Sequence, residues 1–267
     1  MKTDNILIHP SRLEGEIDAI SSKSYGHRAL ILAGLCKNPT NIYINEFSKD
    51  INVTIDALIN LGVGIEKFKN FVKVIPPKEK IEKATIDMFE SGSSLRFFTA
   101  VANHFAKEVK IIGKERLSQR PNYELIKNLR KHGLEISSNK IPYTIKGNLF
   151  GGDFEFFENK SSQYITAIML ASSKLSGKTL IKLKEKPESL GYINISRKVL
   201  KDFNVDVKEE NNSYFIENPQ IKSPNNYYVE GDWSNAAFFY GANLINSQIK
   251  INNLKEDSLQ KDREIID

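Results

Sequence analysis

Residues 53–68 read VTIDALINLGVGIEKF. The first part carries apolar residues at helical spacing, Gly62 stands where a left-handed C-cap falls, and the alternation beyond it suits a strand. The same order recurs in YELIKNLRKHGLEISS (123–138) and SRKVLKDFNVDVKEE (196–210). The cap residues Gly62, Gly133 and Asn204 are separated by 71 and 71 residues, so the chain is built on a repeat.

A second family of segments keeps the same step: SYGHRALILAGL from Ser24, GSSLRFFTAVANH from Gly92 and SSQYITAIMLASS from Ser161. Each opens with small hydroxyl residues and continues as an apolar helix expected to be buried nearly all round. Between the helices lie short strand-like stretches: TNIYI, FVKVIP, EVKIIG, YTIKG and KTLIKLK. Three such units round a pseudo-threefold axis would place the apolar helices side by side at the centre, with their N-termini pointing the same way. A fourth copy begins at VEGDWSNAAFFYGANLIN, where Ser234 lies 72 residues beyond Ser162, and the sequence is expected to end inside that copy. These markers predict a complete lobe of three repeats over residues 22–228, with 1–21 and 229–267 forming part of a second, truncated lobe.

Of the 267 residues, 40% are apolar and 27% charged, which are globular values that exclude a disordered chain. The formal net charge of +5 permits acidic partners, but the basic residues are scattered among acids and do not interleave with aromatics, so no nucleic-acid partner is expected. Cys36 is the only cysteine, which rules out an intrachain disulfide and fits a reducing compartment. The N-terminal stretch has no signal-peptide core and no apolar run reaches membrane length, so the reading is cytoplasmic, with no membrane partner. The histidines at 9, 27, 104 and 132 have no metal-ligand spacing, and neither a P-loop nor a dinucleotide fingerprint follows a strand; no metal and no cofactor are expected.

A helix start presents free amide N–H groups and about half a positive charge, and so stabilises an anion. Three converging starts with hydroxyl donors would make a strong site for phosphate or carboxylate. Lys23 and Arg28 extend from the first start and Arg96 from the second, with Arg116 and Arg120 following in KERLSQRPNYEL. Taken singly, most such residues are solvated surface charges, and Arg96 also suits a structural ion pair. Their recurrence beside helix starts with small neighbours is what points to a site. SSQY (161–164) would offer hydroxyls and an amide to a polyhydroxylated ligand, and Ser189 and Tyr192 in PESLGYINIS read either as a turn or as a phosphate- and ring-binding loop.

The ordered set SKSYGHRA, ESGSSLRFF, ERLSQRPNYEL, SSQYITAIMLA, ESLGYINIS and VEGDWSNAAFF resembles successive motifs of the 5-enolpyruvylshikimate-3-phosphate synthase family, along the whole chain but over only the leading portion of a family member. The resemblance implies an α/β (α+β) fold of two similar lobes, each an inside-out α/β-barrel-like set of three βαβαββ repeats, closing on substrates between them. It implies transfer of the enolpyruvyl group of phosphoenolpyruvate to the 5-hydroxyl of shikimate 3-phosphate by addition and elimination, releasing phosphate, without metal or organic cofactor. Carried over, Lys23 would contact both substrates and assist proton transfer. Ser24, Arg28, Ser161, Ser162, Gln163, Ser189 and Tyr192 would hold shikimate 3-phosphate. Gly92 and Arg120 would form the phosphoenolpyruvate pocket, with Gln163 touching the enolpyruvyl group.

Two departures stand out. Glu90, Ser93 and Phe97 occupy positions where the family usually has Asn, Thr and Pro; the extra carboxylate either weakens phosphoenolpyruvate binding or points away. The resemblance also places an aspartate base, a Lys-Glu pair and further arginines beyond residue 267, so the chain is expected to lack the acid–base half, which a complementing C-terminal chain would supply. Two other readings compete: a non-catalytic lobe that binds phosphorylated metabolites, and the sibling enzyme that transfers enolpyruvyl to a UDP-sugar. The sibling usually carries a reactive loop cysteine, whereas Cys36 reads as part of an apolar helix.

Overall fold

The computed structural model describes residues 7, 9, 11–157, 161–185 and 189–267. Contacts divide it into two units: Ser21–Val229, and the chain up to Ile20 together with Glu230–Asp267. Strand β1 (Glu14–Asp18) belongs to the latter.

Within Ser21–Val229 the elements run in three sets. The first is α1 (Lys23–Leu35), β2 (Thr40–Tyr43), α2 (Lys49–Asn60), β3 (Gly64–Lys67) and β4 (Phe71–Ile75). The second is β5 (Ile81–Asp87), α3 (Gly92–Val101), β6 (Ala106–Ile112), the short α4 (Glu115–Ser118), α5 (Tyr123–Lys131), β7 (Leu134–Ile136) and β8 (Tyr143–Gly147). The third is β9 (Gly152–Phe156), α6 (Ser162–Ser172), β10 (Lys178–Leu183), α7 (Leu190–Asp202), β11 (Lys208–Glu210) and β12 (Ser213–Glu217), followed by β13 (Asn226–Tyr228).

The three four-stranded sheets share one topology: β13-β2-β4-β3, β5-β6-β8-β7 and β9-β10-β12-β11. In each, the first two strands are parallel and the rest antiparallel. A parallel pair needs a crossover helix, and α3 and α6 are the crossovers of the second and third sets. The first set has no leading strand of its own. Its place is taken by β13, where Asn226 pairs with Asn41 across 185 residues. The repeats therefore close on themselves, a feature the motif spacing did not reveal because a three-residue strand carries no periodic signal.

The caps explain where the outer helices stop. Gly62, Gly133 and Asn204 have φ of +87°, +95° and +63°, and Val63 and Val205 donate back to the carbonyls of Leu58 and Leu200 at 3.0 and 2.8 Å. Burial separates two classes of helix. In α1, α3 and α6 nearly every residue is buried, whereas α2, α5 and α7 bury one face only. The first class forms the centre of the lobe and the second lies between it and solvent. Each fully buried Leu, Ile or Phe of the centre contributes roughly 1.5–3 kcal/mol. Cys36 is the buried C-cap of α1 and not part of the helix itself.

In the other unit, β1 pairs in parallel with β14 (Gln248–Asn252), and α8 (Trp233–Ile245) precedes β14 in the chain. The fourth helix start differs from the first three: its cap is Asp232, whose Oδ1 accepts from the Asn235 N–H at 2.8 Å, and Ser234 donates to Asp262. Only Trp233 and Ala236 of α8 are buried. Among the described residues no helix is long and apolar enough to cross a membrane.

Candidate functional site

Hydrogen bonds tie the helix starts of Ser21–Val229 to one another. At α3, Ser91 caps the helix by accepting from the Ser94 N–H at 3.4 Å. At α6, Ser161 accepts from the Gln163 N–H at 3.3 Å. Gln163 then bridges the two: its Nε2 donates to Ser93 Oγ at 3.0 Å and its Oε1 accepts from Arg96 Nη1 at 2.9 Å. Arg96 also donates to the carbonyls of Gly92 and Pro121, each at 3.1 Å.

Gly92 is where two cations meet. A Cβ on Gly92 would stand 2.8 Å from Arg96 Nη1 and collide with Arg120 Nη1. The bare backbone is therefore what admits both guanidinium groups at the start of α3. Neither arginine has a carboxylate partner among the described residues. Burial pushes the Arg96 pKa down, and Arg120 adds to that shift; Arg96 Nε is buried without a partner. Two like charges held beside a positive helix end form a place that an anion would relieve.

Arg28 organises a second group, at the starts of α1 and α7; the helix starts together are called the mouth. It lies 3% exposed, with its guanidinium 5.3 Å from the centre of the Phe97 ring. Nε donates to Ser196 Oγ at 2.8 Å, Nη1 to the Ser24 carbonyl at 2.5 Å, and Nη2 to Thr166 Oγ1 at 3.3 Å and the Tyr192 carbonyl at 3.2 Å. One side chain thus knits α1 to α6 and to the first turn of α7. Burial lowers its pKa to about 10, so it stays charged at neutral pH, and no carboxylate balances it among the described residues. The sequence suggested a residue reaching out to ligand; the structure turns most of its donors inward.

Lys23 opens α1, half-exposed, with Nζ 3.4 Å from Asp50 Oδ2 in the first turn of α2. His27, one turn on, is buried, and its pKa is lowered to about 4, chiefly by desolvation, which keeps the ring neutral. Its Nδ1 lies 2.7 Å from Thr54 Oγ1, Thr54 lies 3.0 Å from Ser94 Oγ, and Ser94 lies 2.8 Å from Ser91 Oγ. This buried polar chain links the starts of α1 and α3 through α2.

The structure therefore groups Gly92, Ser93, Arg96, Arg120, Ser161 and Gln163 at one place, with Ser162 buried as the first residue of α6, and Ser24, Arg28 and Tyr192 at another. Both groups share α6, through Gln163 and Thr166 respectively. Ser189 is the exposed residue before α7 and Tyr192 exposes its ring; Pro187 and Glu188 of the same motif lie outside the described residues. Arg116 is exposed on α4, and Glu90 is exposed just before the cap of α3. Asp50 and Thr54 carried no signal of their own in the sequence, because their partners are each 27 residues away; Ser93 stood out only as a departure from the family pattern, and its bond to Gln163 spans 70 residues.

The sequence model of the EPSP synthase (3-phosphoshikimate 1-carboxyvinyltransferase) family matches residues 7–267. A 3-phosphoshikimate 1-carboxyvinyltransferase of Clostridium novyi is 39% identical over an alignment that covers 99% of this chain and 64% of the relative. One from Clostridium beijerinckii is 36% identical, covering 98% and 63%. The chain thus spans less than two thirds of the length of these curated relatives. Among solved structures, an EPSP synthase from Acinetobacter baumannii superposes with a TM-score of 0.75 at 22% identity, over 92% of this chain and 57% of that one, a likeness of fold.

Proposed function

The chain belongs to the EPSP synthase family, and from that premise we propose that it supplies the substrate-holding side of a 3-phosphoshikimate 1-carboxyvinyltransferase. In the reaction the 5-hydroxyl of shikimate 3-phosphate gives up its proton and its oxygen bonds to C2 of phosphoenolpyruvate, while C3 gains a proton. Phosphate then leaves C2 as C3 gives a proton up, restoring the double bond. Two anions must be brought together for this, and uncompensated fixed cations are what allow it.

The observation that carries the reading is the convergence of Arg96 and Arg120 on Gly92 without a carboxylate among the described residues. Phosphoenolpyruvate fits there, with Gln163 positioned by Arg96 and Ser93 to touch its enol carbon. Shikimate 3-phosphate fits against Ser161, Ser162, Ser24, Ser189 and Tyr192, with Arg28 supplying charge from beneath. Lys23, held by Asp50, is the candidate proton-transfer group within this chain. Residues 22–228 are taken as one complete lobe and the remainder as part of a second. A complementing polypeptide would bring further acid–base groups, and a cytoplasmic location fits the substrates. The UDP-sugar sibling is disfavoured because burial raises the Cys36 thiol to about 12, which makes it unreactive.

Calorimetry on the 267-residue chain tests this. Shikimate 3-phosphate and phosphoenolpyruvate should each bind, with Arg120→Ala removing the response to phosphoenolpyruvate alone. Absence of binding by both, in a chain shown to be folded, would overturn the proposal.

A further inference from the structure

The ends of the central helices define a second pole of Ser21–Val229. Past the end of α1 lie Lys37 and Asn38, and past the end of α6 lie Ser173–Ser176; with residues 218–223 and Asn225 they line a cavity of about 630 Å³. A neighbouring cavity of about 540 Å³ shares Lys174, Leu175 and Ser176 but includes Glu79. The larger one has no acid among its described lining residues. Its charged groups are Lys37, Lys174 and Lys222, and none of the three has an ion-pair partner among the described residues.

Lysines that follow a helix are often there to complement its negative end. That accounts for Lys37 and Lys174. It does not account for Lys222, which lies between β12 and β13, nor for the amide groups that complete the wall. Asn218 Oδ1 is occupied by the Gly177 N–H at 3.1 Å, so the Nδ2 donors are the part of that side chain left to meet a ligand. The wall itself is fixed. Ser223 Oγ donates to the Pro39 carbonyl at 2.8 Å and accepts from Thr40 Oγ1 at 2.7 Å, the Lys222 N–H donates to the Phe203 carbonyl at 2.9 Å, and Asn204 donates to the Gln220 carbonyl at 2.7 Å.

We propose that this cavity is an anion site, separate from the mouth at the helix starts, for a small phosphorylated polyol. The three ammonium groups suit a phosphate dianion, and Asn38, Asn218 and Gln220 suit hydroxyls. Leu175, Pro219 and Ile221 offer an apolar surface to a carbon ring. Among the described residues no aromatic side chain lines the cavity, so none of them would stack a nucleobase. The cavity lies where the first set of elements meets the third, beside the segment that leads into β13. Occupancy would therefore fasten the seam at which the ring of repeats closes.

The test is a titration of the isotope-labelled full chain with glucose 6-phosphate, followed by amide NMR. The amides of Ser176, Asn218 and Ser223 report this cavity, and those of Gly92 and Gln163 report the mouth. Saturable shifts are expected at the first set with glucose 6-phosphate and none with glucose. Combining Lys37→Gln, Lys174→Gln and Lys222→Gln should weaken that response at least about tenfold while the remaining spectrum keeps its dispersion, which shows the variant folded. Three results would each overturn the proposal: no saturable shift at the first set, a shift that survives the triple substitution, or equal affinity for inorganic phosphate, which would leave no role for the polyol. The readout at Gly92 stands apart, so failure of the substrate reading at the mouth leaves this test intact.

Discussion

The Phe97 ring lies between two side chains of α1: Arg28 sits 5.3 Å from its centre and His27 meets it edge-on at 6.4 Å. Phe97 is 1% exposed, so this contact is part of the core as well as of the mouth. Phe97→Ala should cost about 3–5 kcal/mol, read from the urea midpoint, and Phe97→Leu less than about 1.5 kcal/mol. Equal small losses for both would show that the ring is not wedged as described.

Gly92→Ala puts a methyl group where Arg96 and Arg120 now meet. Phosphoenolpyruvate affinity should fall at least about tenfold, or roughly 1.4 kcal/mol, while shikimate 3-phosphate binding holds. Calorimetry with each ligand separates the two effects. Unaltered phosphoenolpyruvate binding would mean that the arginines can move aside freely.

Arg28→Lys keeps the charge but loses the fork that spans Ser24, Thr166, Tyr192 and Ser196. Stability should fall by at least about 1.5–3 kcal/mol, and shikimate 3-phosphate should bind more weakly. Chemical denaturation and calorimetry on the same preparation check both halves of the expectation.

Burial holds His27 and His104 at about 4, well below the 6.5 of an unfolded histidine, and His132 is lowered in the same direction. Between those values the unfolded chain binds protons that the folded chain refuses. Stability is therefore full above about pH 6.5 and declines as the pH falls toward 4, by roughly 3 kcal/mol for each fully buried ring. His27→Asn should flatten the stability curve over that window. A curve of unchanged slope would show that the ring takes up its proton without unfolding.

Phe238, Leu244 and Ile245 of α8 are 79, 83 and 85% exposed, an apolar face out of keeping with a lone soluble surface. The chain should associate as its concentration rises, and Phe238→Ser with Leu244→Ser should suppress that. Sedimentation velocity across a concentration series measures it; a monomer at every concentration would count against a sticky α8.

How much of this was readable in the residues depends on the range of each interaction. Gly62, Gly133 and Asn204 announce the repeat because a left-handed cap is a local demand on one residue, and all three take positive φ. The central helices are legible for a related reason: Leu30–Ala33 and Ala167–Ala171 are apolar on every face, which only a buried helix tolerates. Asn226–Tyr228 gave no warning of its parallel pairing with β2, since its partner is supplied by closure of the whole lobe. The site divides along the same line. Small residues and cations at helix starts could be picked out, but the inward turn of Arg28 and the partnership of Lys23 with Asp50 arise only when separate helices meet.

Because β13 completes the sheet that β2 begins, the inserted lobe leaves and re-enters the chain at neighbouring points: the Val229 N–H bonds to the Tyr43 carbonyl, and the Ser21 N–H to Asn45. Residues 21–229 are thus a ring with an arbitrary opening. Joining those two ends and cutting instead in the loop before β5 or before β9 should give circular permutants that fold to the same lobe, each starting from a different repeat.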